Sequence, residues 1–135
     1  MPEDHAARDW AARTPLHYAA LDNDTATAGD LLAAGADPDA RDRKDYRPLH
    51  FACQQGSLEV ARLLLDAGAA LDPVNWYGNT PLFVAVSIHR SEPLVELLLT
   101  LGADPEWMNN YGQTPVGFSR LIANRDVARF FTGHA

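Results

Sequence analysis

The sequence predicts an all-α solenoid of four helix-turn-helix units, each joined to the next by a loop. Three observations predict it. Four segments align, Thr14-Pro15-Leu16-His17-Tyr18-Ala19-Ala20, Arg47-Pro48-Leu49-His50-Phe51-Ala52-Cys53, Thr80-Pro81-Leu82-Phe83-Val84-Ala85-Val86 and Thr114-Pro115-Val116-Gly117-Phe118-Ser119-Arg120, with prolines 33, 33 and 34 residues apart. A second landmark keeps the same step: Gly35-Ala36-Asp37-Pro38, Gly68-Ala69-Ala70 and Gly102-Ala103-Asp104-Pro105. A third does too, since Asp24, Ser57, Ser91 and Asn124 fall in register at 33, 34 and 33. A fixed period in this range is the signature of a repeat architecture, in which each unit buries its apolar face against its neighbours.

Each landmark has a mechanical meaning. Thr followed by Pro is an N-cap and the favoured first helical residue, so it opens the first helix of a unit. Asp24, Ser57, Ser91 and Asn124 are good N-cap types, and each opens a second helix. Gly after an apolar run such as Leu63-Leu64-Leu65 stops that helix in the left-handed region. A loop of about a dozen residues then leads to the next unit. In the second unit this places helices over Pro48–Gln54 and Leu58–Asp66. The units span about 9–41, 42–74, 75–108 and 109–133, within one domain covering 1–135.

Composition bounds the function classes. The chain has 135 residues, 47% apolar and 21% charged, enough for a core and against wholesale disorder. Its longest apolar run is five residues, Leu82 to Val86, too short to span a membrane. The N-terminus lacks the basic and apolar regions of a signal peptide. Cys53 is the only cysteine, which excludes a disulfide-stapled scaffold and points to a reducing cytoplasm. With 11 basic against 18 acidic side chains the charge is −7, which argues against nucleic-acid binding. No catalytic constellation is present. There is neither Gly-x-Gly nor Gly-x-Ser-x-Gly, and His5, His17, His50, His89 and His134 never pair at three or four residues. The sequence therefore gives no catalytic residue, metal ligand or cofactor site. His17 and His50, one period apart, read as structural histidines bonding loop backbone. Cys53 reads as a small core residue, and Asp37, Asp39, Asp66 and Asp104 as turn formers or solvated charge.

These segments resemble the ankyrin repeat family, whose motif is T-P-L-H-x-A-A followed by G-x-L-E-V-x-x-L-L-L-x-x-G-A-D. The second unit carries it best, as Pro48-Leu49-His50-Phe51-Ala52, then Gly56-Ser57-Leu58-Glu59-Val60 and Leu63-Leu64-Leu65-Asp66-Ala67-Gly68-Ala69. The resemblance covers roughly residues 5 to 133 and recurs four times in register. It implies an L-shaped stack of helix pairs with protruding hairpin-like loops at right angles to them, a scaffold that serves for binding and is not an enzyme. The departures carry expectations of their own. Asp30 stands where Leu63 and Leu97 do, and Phe130 and Thr132 where Leu97 or Leu63 and Leu99 or Leu65 do, so the outer units read as built-in caps of a complete small solenoid. Thr gives way to Arg47, and His to Phe83 and Gly117, so Thr–His support is complete only in the first unit. One extra residue near Ser87–Ser91 lengthens the third helix–helix turn. Asp45 and Ala12 occupy the place of Gly78 and Gly112; Asp tolerates positive φ, whereas Ala12 is expected to avoid it and leave the first loop irregular.

The resemblance marks the loop tips and the exposed side of the first helices for binding. The tips are Trp10 and Ala11, Arg43 and Lys44, Trp76 and Tyr77, and Asn110 and Tyr111. Behind them come Arg13, Tyr46, Asn79 and Gln113, and along the helices residues such as Leu21, Gln54, Ile88 and Leu121. Trp, Tyr and Arg dominate interface hot spots, which selects Trp10, Arg43, Lys44, Tyr46, Trp76, Tyr77, Asn79, Ile88, Asn110, Tyr111 and Gln113 as the partner-binding set. The competing reading packs Trp76 or Tyr77 flat on the neighbouring loop. Six of eleven basic residues, Arg8, Arg13, Arg41, Arg43, Lys44 and Arg47, lie in the first two loops, so the ladder of tips runs from basic to aromatic. Asp42 and Asp45, interleaved with them, offer local neutralisation. The function expected is a monomeric module that blocks one unidentified protein, with apolar anchors at Trp76, Tyr77 and Tyr111 and an acidic patch drawn to Arg43 and Lys44. An adaptor, an antidote to a toxin and a small ligand-binding protein are the alternatives.

Overall fold

The computed structural model describes residues 10–122 and 124–131. Expectations that rest on His5, Arg8, Thr132 and His134 lie outside the described residues. In chain order the helices are α1 (Pro15–Leu21), α2 (Thr25–Ala33), α3 (Pro48–Gln54), α4 (Leu58–Asp66), α5 (Pro81–Val86), α6 (Glu92–Thr100), α7 (Pro115–Leu121) and α8 (Arg125–Ala128), the last continued by a 3₁₀ turn, Arg129–Phe131. No strand occurs among the described residues. The odd helices pack in sequence, α1 on α3, α3 on α5 and α5 on α7; the even helices form a second layer in the same order. The core lies between the layers and repeats with the sequence: Leu16, Leu49, Leu82 and Val116 are buried in one row, and Leu31, Leu64, Leu98 and Phe131 in another. Ala19, Ala52 and Ala85 form a third buried row whose small side chains let the layers approach closely. Cys53 belongs to this core, and burial pushes its thiol far above the ordinary value, leaving it unreactive.

Most helix starts follow the expected chemistry. Thr14, Thr80 and Thr114 accept from the backbone N–H three residues on, as do Asp24 and Ser57 for the second helices. Two corrections arise. Ser91 and Asn124 open α6 and α8 where expected, and only their side-chain capping bond is missing. The longer turn after α5 leaves that helix's carbonyls needing donors. The Ser91 hydroxyl donates to Ala85 O at 2.7 Å, and Asn124 Nδ2 donates to Val86 O at 2.9 Å and Ile88 O at 2.8 Å. Arg90, at φ 62°, turns the chain where Asn23 and Gly56 do so in the first two units.

Ala12 provides the other correction. It takes φ 60°, matching Asp45 at 62°, Gly78 at 78° and Gly112 at 73°, so the first tip keeps the regular form. Hydrogen bonds from the second tip to Trp10 O and Ala11 O hold it there against a strain of about 1–2 kcal/mol. Gly78 and Gly112 separate the two costs of adding a side chain at this place. A Cβ on Gly112 meets nothing within 4 Å, whereas one on Gly78 lies 2.6 Å from Asn110 Oδ1 and 2.8 Å from the Asn110 backbone nitrogen. Gly112→Ala is expected to cost about 1 kcal/mol, the left-handed penalty alone. Gly78→Ala adds a backbone clash that pushes the fourth tip off the third, for about 2 kcal/mol or more. Urea unfolding of both variants checks the difference.

Candidate binding surface of the loop tips

The second, third and fourth tips are built by one device. Asp42 Oδ1 accepts from the N–H groups of Lys44 (2.9 Å) and Tyr46 (2.8 Å). Asn75 Oδ1 does the same for Tyr77 and Asn79, and Asn109 Oδ1 for Tyr111 and Gln113. A short polar side chain bonding backbone two residues on imposes a turn without help from the rest of the fold. Each tip is then closed as a small hairpin, with the N–H of Asp42, Asn75 and Asn109 donating to the carbonyl of Tyr46, Asn79 and Gln113. The 33- and 34-residue spacing of Asp42, Asn75 and Asn109 is visible in the sequence, where Asp42 alone is singled out, and only for its charge.

Successive tips are bonded into a ladder. Arg43 N donates to Ala11 O at 2.7 Å, Trp76 N to Lys44 O at 2.8 Å, and Asn110 N to Tyr77 O at 3.0 Å. Side chains reinforce two of these steps: Arg43 Nε donates to Trp10 O, and Asn110 Nδ2 to Trp76 O, each at 2.8 Å. Two buried histidines tie the tips down to the helices. Thr14 N–H and Arg47 N–H donate to Nδ1 of His17 and His50, at 3.0 and 2.9 Å. Each ring therefore carries its proton on Nε2, which donates to Tyr46 O at 2.8 Å from His17 and to Asn79 O at 2.9 Å from His50. Burial is the chief cause that lowers His50 to about 4, so the ring is neutral.

The residues expected to bind a partner divide by exposure. Trp10 (83% exposed), Trp76 (63%) and Tyr111 (69%) stand out at the tips. Arg43, Lys44 and Asn110 are also exposed, and Tyr77, Ile88 and Gln113 are half-buried. Trp76 and Tyr77 contact one another with ring centroids 6.4 Å apart. Tyr46 and Asn79, also half-buried, help to build the scaffold: Tyr46 stacks on Phe51 at 5.1 Å, and Asn79 Oδ1 accepts from Asn109 Nδ2 at 2.8 Å. Asn75 Nδ2, at the equivalent place one unit earlier, is buried and unpaired because Tyr46 stands where Arg13 and Asn79 stand for the other tips.

Charge is partly neutralised. Arg13 Nε lies 3.5 Å from the buried Asp42 carboxylate, and its guanidinium sits 4.9 Å from the centroid of Phe51. Lys44 Nζ lies 5.7 and 5.9 Å from the ring centroids of Trp76 and Tyr77. Between the first two tips and α1 and α3 is an open groove of about 480 Å³, bounded by Trp10, Leu21, Arg43, Lys44, Tyr46 and Phe51 among others. Among the described residues no group of His, Cys, Asp and Glu could hold a metal ion, and no helix is long and apolar enough to cross a membrane. A family model described as ankyrin repeats (3 copies) matches residues 16–109. No curated protein matches the chain.

Proposed function

The chain belongs to the ankyrin repeat family, and on that premise we propose that it blocks a surface of one partner protein through its loop tips and the adjoining face of the first helices. Ankyrin repeats are protein–protein interaction modules and typically not enzymes. The finer reading rests on the site, because a fold alone does not fix a function. The observation that carries it is the set of exposed aromatics, Trp10, Trp76 and Tyr111, held out on a hydrogen-bonded ladder. Large aromatic side chains on a rigid support lose little entropy on binding and make the strongest interface anchors. Arg43, Lys44, Tyr77, Ile88, Asn110 and Gln113 complete the contact surface, and Tyr46 and Asn79 shape it from behind. The reading takes 1–135 as one domain acting as a monomer in the cytoplasm, with no cofactor, nucleic acid or membrane involved.

Blocking is favoured over bridging by the other side of the molecule. Arg62, Asp66, Glu96 and Arg129 are exposed there as mixed charge, and among the described residues α2, α4, α6 and α8 carry no aromatic side chain. Affinity capture from native lysate tests both halves. Trp76→Ala combined with Tyr111→Ala removes two exposed rings that the scaffold does not need. The variant is expected to unfold as wild type does and to bind its captured partner at least about tenfold more weakly. Undiminished binding would overturn the assigned surface. Simultaneous capture of two proteins on separate faces would replace blocking by an adaptor role.

A further inference from the structure

We propose that the groove between the first two tips seats an extended acidic segment of the partner, with a carboxylate side chain next to an aromatic or branched apolar one. The inference rests on the protein-binding reading above and names the partner chemistry for one part of that surface. The groove walls are mainly apolar, formed by Trp10, Leu21, Tyr46, Phe51 and Tyr77. Its remaining chemistry is cationic. Asp42, the carboxylate in the lining, is engaged by Arg13 and by two backbone N–H groups. Arg43 and Lys44 have no carboxylate partner among the described residues. The bond from Arg43 Nε to Trp10 O fixes that guanidinium while leaving its terminal nitrogens for a ligand. Lys44 is held beside the Trp76 and Tyr77 rings, 5.7 and 5.9 Å from their centroids, which positions its ammonium at the groove.

Charge selects the occupant. The whole chain carries −7, so two cations with no carboxylate partner among the described residues, set among aromatic rings, run against its general field. An acidic segment is repelled by most of the surface and accepted here, which fixes where and in what orientation it docks. Volume selects its conformation. A helix 10–12 Å across would fill 480 Å³ in about one turn, whereas an extended segment can thread the groove and place alternate side chains on opposite walls. Single-stranded nucleic acid also favours aromatic rings beside cations, but it needs a positive groove that follows the phosphate backbone. Here three cations, one of them paired with Asp42, in an acidic protein give no such track.

The test is selection of random 12-residue peptides displayed against the full chain, followed by fluorescence anisotropy with the most enriched peptide. Enriched peptides are expected to carry Asp or Glu beside Phe, Leu, Ile or Val. Changing that acid to its amide should weaken binding about fivefold or more, as should Lys44→Gln and Arg43→Gln in the protein. Raising salt from about 0.05 to 0.5 M should slow association. Enrichment without acidic residues, no enrichment, indifference to the amide change, or equal binding of a 12-mer oligothymidine would each overturn the proposal. Trp76 and Tyr111 lie outside the groove lining, so the two readings fail separately. If Trp76→Ala with Tyr111→Ala loses the partner while Lys44→Gln and Arg43→Gln change nothing, the module stands and the acidic groove falls.

Discussion

Taking the protein from pH 7 to pH 4 is expected to remove about 3 kcal/mol of stability through His50 alone. The ring is fully buried between α3 and the third tip. Its Nδ1 already accepts the Arg47 N–H, so a second ring proton there faces a donor with no acceptor to receive it. Desolvation acts in the same direction and is the larger cause, lowering the folded value to about 4 from the ordinary 6.5; the nearby Arg47 charge adds to it. The sign follows. Above about 6.5 neither the folded nor the unfolded chain holds the extra proton, and His50 contributes its full stability. Between 6.5 and 4 the unfolded chain binds a proton that the folded chain refuses, so stability falls as pH falls. Below about 4 both forms are protonated and the loss through this group ends. Urea unfolding of wild type and His50→Gln at pH 7, 5.5 and 4 checks it. Glutamine can accept and donate in the same two places but does not titrate in this range. The variant is expected to start less stable at pH 7 and to fall less steeply. Parallel curves would show that His50 does not control the acid response.

That response matters to the binding surface because the same imidazole holds the third tip. His50 was legible in the sequence as a structural histidine, since its period with His17 put both rings at the start of a first helix. The helices were legible too: Thr-Pro starts and Gly stops are local chemistry, and Pro48–Gln54 and Leu58–Asp66 follow from them without knowledge of the neighbours. The misreadings arose where a neighbour decides. Ala12 was judged by its own steric preference, but the second tip donates two hydrogen bonds that hold it at positive φ. Ser91 and Asn124 do open α6 and α8, yet their side chains donate to carbonyls at the end of α5 instead of capping their own helices. Arg13 reads from the sequence as a basic residue behind the first tip, and its pairing with Asp42 depends on two residues 29 apart meeting across the stack. The groove is of the same kind. Its walls come from different units, and only the stacking register brings Leu21, Phe51 and Tyr77 around one space.

Leu82→Ala is expected to be the most damaging single substitution, costing about 3–4 kcal/mol, within the range seen when a buried leucine leaves an unfilled cavity. Leu82 is fully buried on α5, which packs against α3 before it and α7 after it as well as its own partner α6. A loss there weakens both interfaces of the third unit at once, and in a stack held by nearest-neighbour contacts no distant unit can compensate. For a chain of this length the loss corresponds to a fall in Tm of roughly 10–14 °C. Binding should respond differently. Leu82 contributes nothing to the exposed surface, and the tips are held by their own Asx turns and by the ladder of hydrogen bonds. At 15 °C, once calorimetry has shown the variant folded there, its affinity for the captured partner is expected to stay within about twofold of wild type. Trp76→Ala with Tyr111→Ala should do the reverse, keeping the Tm and losing the affinity. Calorimetry and binding measured on both variants separate the residues that hold the fold from those that meet the partner. If Leu82→Ala loses affinity at 15 °C as severely as the aromatic variant, the tips are not independently held, and the rigid ladder assigned to them fails.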